Sequence, residues 1–157
     1  MSAETPLPFF VYGTLLSGES NHARHLRGRI AHRTPALLDD AELHEGPGYP
    51  YLVEQPAAGP VHGELLTARP EHYAALLVEL DRLEDYTPGD PHNDYERLAR
   101  SVRLPDGSTR RAWVYVAAPA VRARLRARGR TIPDGDWRSA RARGLTPPSA
   151  PDVPRTP

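Results

Sequence analysis

Five apolar residues between Pro70 and Asp85, namely Tyr73, Leu76, Leu77, Leu80 and Leu83, recur at helical spacing and form one stripe. This fixes an amphipathic helix that must bury one face against another element. Glu84 falls four residues after Leu80, near the middle of the stripe, while Arg82 and Asp85 point away. A carboxylate aimed at a core is costly unless it is paired, hydrogen-bonded or protonated. It also lies at the helix C-terminus, where the dipole disfavours negative charge. Both effects are expected to raise its pKa, as a general acid/base working near neutral pH requires. The other reading is a helix that stops one residue early and leaves Glu84 in a solvated turn.

The partner of that helix is predicted to be a set of short strands. Pro8 to Tyr12 is aromatic and β-branched and runs into a turn at Gly13. Ser20 to Leu26 reads as a short helix capped by Ser20. Arg29 to Glu45 holds one or two strands broken around Pro35, followed by a rigid loop with Gly46, Pro47, Gly48 and Pro50. Tyr51 to Glu54 and Val61 to Leu66 read as strands. Pro70 suits the first position of the helix that follows. Tyr95 to Leu104 and Thr109 to Ala117 form a hairpin turning at Asp106-Gly107. An arginine-rich helix, Ala120 to Arg128, and a shorter one, Asp136 to Arg143, close the domain. The expected class is α+β, a small barrel with a helix at its mouth, over residues 1–145. The Pro-rich tail, 146–157, has almost nothing to bury and is expected to be disordered.

Composition excludes several functions. The 157 residues contain no cysteine, so disulfides and thiolate metal sites are ruled out. The formal net charge is zero, and no apolar run reaches membrane-spanning length. Met1 to Thr5 lacks a signal-peptide pattern, and a cytoplasmic location is expected. His22 and His25 could share a helix face, but zinc chemistry needs a third ligand and surface histidines are the expectation. The run Arg122, Arg124, Arg126, Arg128 and Arg130 could meet RNA or phosphate. A solvated helix face with Val121 and Leu125 turned inward is the preferred reading.

Several segments, in order, resemble the γ-glutamylcyclotransferase-like (AIG2-like) family. They are Phe10-Val11-Tyr12-Gly13-Thr14-Leu15, Gly48 to Val53, Val61-His62-Gly63-Glu64-Leu65 and Leu80-Asp81-Arg82-Leu83-Glu84. Tyr95-Glu96-Arg97, Ala112 to Val116 and Gly135-Asp136-Trp137-Arg138 complete the series. The resemblance implies a small mixed β-barrel with flanking helices. It also implies conversion of a γ-glutamyl amide or peptide to 5-oxoproline and a free amine. By motif, Glu84 takes the catalytic carboxylate position. Tyr12, Gly13, Thr14 and Leu15 take the loop that holds the substrate's α-carboxylate and amine. Many relatives carry glycine straight after the glutamate, where this chain has Asp85.

Ring closure requires a base for the substrate's ammonium and an acid for the departing amine, and one carboxyl can serve both in turn. The nucleophile is intramolecular, so neither metal nor cofactor is expected. Tyr115 joins the predicted substrate-binding set. Trp113 and Tyr115 alternate on their strand, so one is expected to line the cavity and the other to pack outside it. A small γ-glutamyl compound is the expected partner, without nucleic acid or membrane. A metabolite-binding protein on the same fold and a nucleic-acid-associated protein using residues 120–130 are the alternatives.

Overall fold

The computed structural model describes residues 6–19 and 21–142. The predicted tail 146–157, the boundary at 145 and the Ser20 cap lie outside the described residues. Among the described residues there are seven strands and three α-helices, in the order β1 (Phe9–Val11), β2 (Ile30–Leu38), β3 (Ala41–Glu45), β4 (Pro50–Glu54), β5 (Val61–Ala68), α1 (Tyr73–Leu83), β6 (Tyr95–Arg103), β7 (Thr109–Ala117), α2 (Pro119–Arg128) and α3 (Trp137–Ala142).

Five strands close a mixed barrel in the order β1-β5-β2-β6-β7, while β3 and β4 form a separate two-stranded sheet. Strand β1 runs antiparallel to β5, with Val11 opposite Glu64, and parallel to β7, with Phe9 opposite Trp113. That last pair closes the barrel and removes the open edges of a flat sheet. The β6–β7 hairpin has the expected register, from Tyr95 opposite Ala117 to Arg103 opposite Thr109. Its turn places Gly107 at φ 89°, and the Asp106 carboxylate accepts the Ser108 N–H at 2.9 Å.

The expected break at Pro35 is not there. Strand β2 runs through it, with Pro35 opposite Glu64 of β5. Strand β6 reaches β2 only at the pair Leu37 and Arg103. One edge of β2 therefore carries no ladder at Pro35, and a residue without an N–H is tolerated there. The strand instead ends at Leu38, and the chain bends at Asp39 and Asp40, the latter at φ 57°.

The predicted amphipathic helix begins with a tight 3₁₀ turn at Pro70–His72 before α1 proper. Leu76 and Leu80 are fully buried, and Tyr73, Leu77 and Leu83 pack against the core at its margin. Burying each leucine contributes roughly 2 kcal/mol. In α2, Val121 and Leu125 face inward while Arg124, Arg126 and Arg128 are exposed. Helix α3 starts at an Asp136 cap, whose Oδ1 accepts the N–H of Arg138 at 3.1 Å. Trp137 behind that cap is among the most buried large side chains. Among the described residues no helix is long and apolar enough to cross a membrane.

Candidate active site

Helix α1 ends at Leu83, and Glu84 is its cap residue with φ −84° and ψ 0°. The Glu84 N–H still donates to the Leu80 carbonyl at 3.0 Å. Glu84 thus keeps its place in the apolar stripe although the helix proper has stopped. Its exposure is 0%, which rules out the solvated-turn reading. Two bonds then close the helix: Asp85 N–H to the Arg82 carbonyl at 3.0 Å, and Tyr86 N–H to the Asp81 carbonyl at 2.8 Å. This pairing is a Schellman ending, which requires a left-handed residue just past the cap. Asp85 fills it at φ 56°. The position at which the resemblance led one to expect glycine is one that suits glycine, and aspartate is among the few other residues that tolerate it. Asp85→Gly is expected to stabilise the protein by roughly 0.5 kcal/mol, or about 1–2 °C in Tm. A drop of several degrees would show that the Asp85 side chain itself holds the turn.

Tyrosines from three strand regions, Tyr12, Tyr95 and Tyr115, lie within electrostatic reach of the Glu84 carboxyl. Burial pushes the Tyr12 hydroxyl well above its usual pKa, and the nearby Glu84 charge adds to the shift. Tyr95 is raised by burial first, then by Tyr12 and Glu84. Tyr115 is raised by burial, by its bond to Asp81 and that residue's charge, and by Glu84, with Arg97 opposing. All three therefore remain neutral hydroxyls at physiological pH. Tyr51 stacks on Tyr95 at 5.1 Å between ring centroids, and Tyr49 meets Tyr51 edge-on at 5.6 Å. The Tyr12 hydroxyl donates to the Tyr115 carbonyl at 2.6 Å. Its proton ties the end of β1 to β7 and is committed there.

Residues 13 to 15 follow Tyr12 and are all buried. Each of their carbonyls accepts a protein donor. The Gly13 carbonyl takes the Leu16 N–H at 3.0 Å, the Thr14 carbonyl takes the Asn21 N–H at 3.1 Å, and the Leu15 carbonyl takes His22 Nδ1–H at 2.9 Å. A trans peptide sets each following N–H opposite its carbonyl. The N–H groups of Thr14 and Leu15 are accordingly directed away from these partners. The two histidines three apart go different ways, because His25 Nδ1–H donates to Glu79 at 2.6 Å.

The sequence reading missed the clamp at the far end of this turn. The Glu64 carboxylate, on β5, accepts the Ser17 N–H at 2.9 Å and the Ser17 hydroxyl at 2.7 Å. Arg138 of α3 donates to the Ser17 hydroxyl at 3.0 Å and to the Ser17 carbonyl, and meets Glu64 at 3.5 Å. Trp137 Nε1–H adds a bond to Glu19 at 3.3 Å. Burial alone would raise the Glu64 pKa, but the Ser17 donors and Arg138 outweigh it and hold the group below the usual glutamate value. The sign follows: the clamp stabilises the fold above the ordinary glutamate pKa and is lost as pH falls through the lower folded value. Glu64→Gln is expected to cost about 1–2 kcal/mol at pH 7 and to flatten the fall in Tm on the acid side. An unchanged acid limb would show that Glu64 does not titrate against the fold. The available signal in the sequence was a carboxylate beside Gly63 on a strand that is otherwise largely apolar.

Trp113 and Tyr115 do not divide between inside and outside as expected. Two residues apart on a strand, they share a face, and both reach the same ion pair. The Tyr115 hydroxyl donates to Asp81 at 2.6 Å, and the Trp113 ring lies 4.4 Å from the Arg97 guanidinium.

A closed five-stranded mixed barrel of this kind is the fold of AIG2-like proteins. The crystal structure of an AIG2-like protein from Mus musculus matches with a TM-score of 0.67 and 25% identity, over 95% of this chain and 98% of that one. The chain belongs to the family described as gamma-glutamyl cyclotransferase, AIG2-like, whose model matches residues 9–139. One relative, from Halalkalibacterium halodurans, bears the name "Putative gamma-glutamylcyclotransferase BH1612". It is 36% identical over 115 residues, 71% of this chain and 90% of its own length. The gamma-L-glutamyl-butirosin B gamma-glutamyl cyclotransferase of Niallia circulans is 33% identical over 108 residues, 68% of this chain and 64% of its own.

Proposed function

We propose that this protein is a γ-glutamylcyclotransferase that converts a γ-glutamyl amide to 5-oxoproline and a free amine, with Glu84 as general acid/base. The observation that carries the reading is the fully buried Glu84 carboxyl in the electrostatic reach of Tyr12 and Tyr115. Family membership over residues 9–139 supports the same chemistry.

In this reading the N–H groups of Thr14 and Leu15 take the substrate's α-carboxylate, as oriented backbone amides do for anions. Glu84 removes one proton from the α-ammonium. The freed amine attacks the γ-carbonyl carbon, forming the ring C–N bond and an oxyanion. Glu84 returns its proton to the departing nitrogen, the original amide C–N bond breaks, and the carbonyl re-forms. Of the ammonium's three hydrogens, one stays on the lactam nitrogen and one reaches the leaving nitrogen through Glu84. The third is lost as a proton, which the released amine takes up. The enzyme ends as it began.

The leaving group is an amine, and a panel of γ-glutamyl amino acids and γ-glutamyl alkylamines covers the chemical range. The experiment incubates the purified protein with that panel and measures 5-oxoproline against time. Release from at least one member is expected. No release from any, by protein that binds them, would make this a binding protein on the same fold.

A further inference from the structure

Asp81 stands three residues before Glu84 on the last turn of α1, and positions three apart share a helix face. Every bond around Asp81 is directed. Arg97 of β6 meets it as a fork, Nε to Oδ1 at 2.8 Å and Nη2 to Oδ2 at 3.2 Å. The guanidinium lies 4.4 Å from the Trp113 ring and 5.5 Å from the Tyr86 ring. Trp113 is held in turn by its Nε1–H on the Tyr73 hydroxyl at 3.1 Å. The pair is shielded, with side-chain exposures of 14% for Arg97 and 19% for Asp81. A carboxylate so paired is an acceptor only. Its Oδ1 also takes the Tyr115 O–H at 2.6 Å, the length expected for a hydroxyl on an ionised carboxylate.

A phenol has one proton and two lone pairs. The Tyr115 proton is committed to Asp81, so the hydroxyl can offer any further partner only its oxygen. Tyr115 and Glu84 can then each offer an acceptor to one and the same nitrogen, provided that it carries several N–H bonds. We propose that Asp81 and Arg97 are positioning residues that fix Tyr115 as a hydrogen-bond acceptor for the substrate's α-amine, which is held between Tyr115 and Glu84. This inference rests on the γ-glutamyl reading above and adds a specificity rule to it. The free α-amine is selected at binding, before it acts as nucleophile.

The test is a binding measurement on Glu84→Gln, in which turnover is blocked. The probes are γ-L-glutamyl ethylamide and glutaric acid monoethylamide, which keeps the carboxylate and lacks the amine. If the wild type prefers another γ-glutamyl amine, the probe pair is built on that amine. Glu84→Gln is expected to bind the amine-bearing probe about tenfold more tightly, the worth of one good hydrogen bond to a charged group. Adding Tyr115→Phe should collapse that ratio, and adding Asp81→Ala should collapse it similarly. The two together should have no greater effect than either alone. An unchanged ratio in Tyr115→Phe overturns the proposal, and this variant decides the matter even if Asp81→Ala does not fold. A ratio lost in Tyr115→Phe but intact in a folded Asp81→Ala overturns the role of Asp81. Failure to bind either probe, with no 5-oxoproline release by the wild type, sinks the γ-glutamyl reading and this inference with it.

Discussion

Glu84→Gln is expected to remove nearly all 5-oxoproline release while preserving the fold and substrate binding. Glutamine keeps the size of the side chain and can still accept one hydrogen bond. It cannot take a proton from the ammonium or return one to the leaving nitrogen. The loss should be on the order of a hundredfold or more, the usual contribution of a positioned acid/base. Stability should hold or rise slightly, because a neutral amide costs less to bury than a charged carboxylate. Asp85→Asn is the control: Asp85 is exposed on the far side of the cap, and its charge is not asked to move protons. Asp81→Asn should fall between the two, since Asp81 acts through Tyr115. The measurement is the initial rate of 5-oxoproline release by all three variants on the best wild-type substrate. Wild-type turnover by Glu84→Gln alongside loss in either aspartate variant would mean that the wrong carboxylate carries the chemistry. Equal turnover in all three would end the acid/base account.

Glu84 was legible in the sequence because it depends on one helix. The apolar spacing from Tyr73 to Leu83 sets the phase, and a single bond to the Leu80 carbonyl carries that phase one residue past the helix end. The hairpin Tyr95–Arg103 and Thr109–Ala117 was legible for the same reason, since its turn and register are local. What failed depended on neighbours far along the chain. Pro35 reads as a break unless one knows that β2 has an unladdered edge beside it. The bond from the Tyr12 hydroxyl to the Tyr115 carbonyl joins positions far apart in the chain, and no local pattern announces it. Asp81 looks like an ordinary surface aspartate until Arg97 and Tyr115 arrive from β6 and β7. The clamp of Ser17, Glu64 and Arg138 draws on three separate segments, and no periodicity links them.

Gly63→Ala is expected to be the most damaging small substitution for stability, and it should disturb the candidate site as well. Gly63 lies on β5 directly opposite Ala36, where β1 crosses close beside it. A Cβ there would fall on the Val11 carbonyl oxygen and within 2.7 and 2.8 Å of two Phe10 ring carbons. Backbone cannot yield as a flexible side-chain tip does, and the Phe10 ring is itself buried at 2% exposure. Overpacking of this kind costs about 3 kcal/mol or more when the backbone must move. For a chain of this size that is roughly 6–12 °C in Tm. The direction of relief matters. Strand β1 can only move away from β5, and β1 delivers Tyr12 and the turn that follows it. The neighbouring Glu64 anchors the other end of the same turn through Ser17. Gly63 and Glu64 therefore set both the entry and the exit of residues 12–17, one by permitting close approach and the other by accepting hydrogen bonds. A folded remnant of Gly63→Ala at low temperature should show a raised KM for the proposed γ-glutamyl substrate, with kcat less affected, because the N–H groups proposed to take its carboxylate shift while Glu84 at the end of α1 does not. A variant that melts with the wild type would show that β1 can shift without cost and that the close approach at Gly63 does not hold the turn in place.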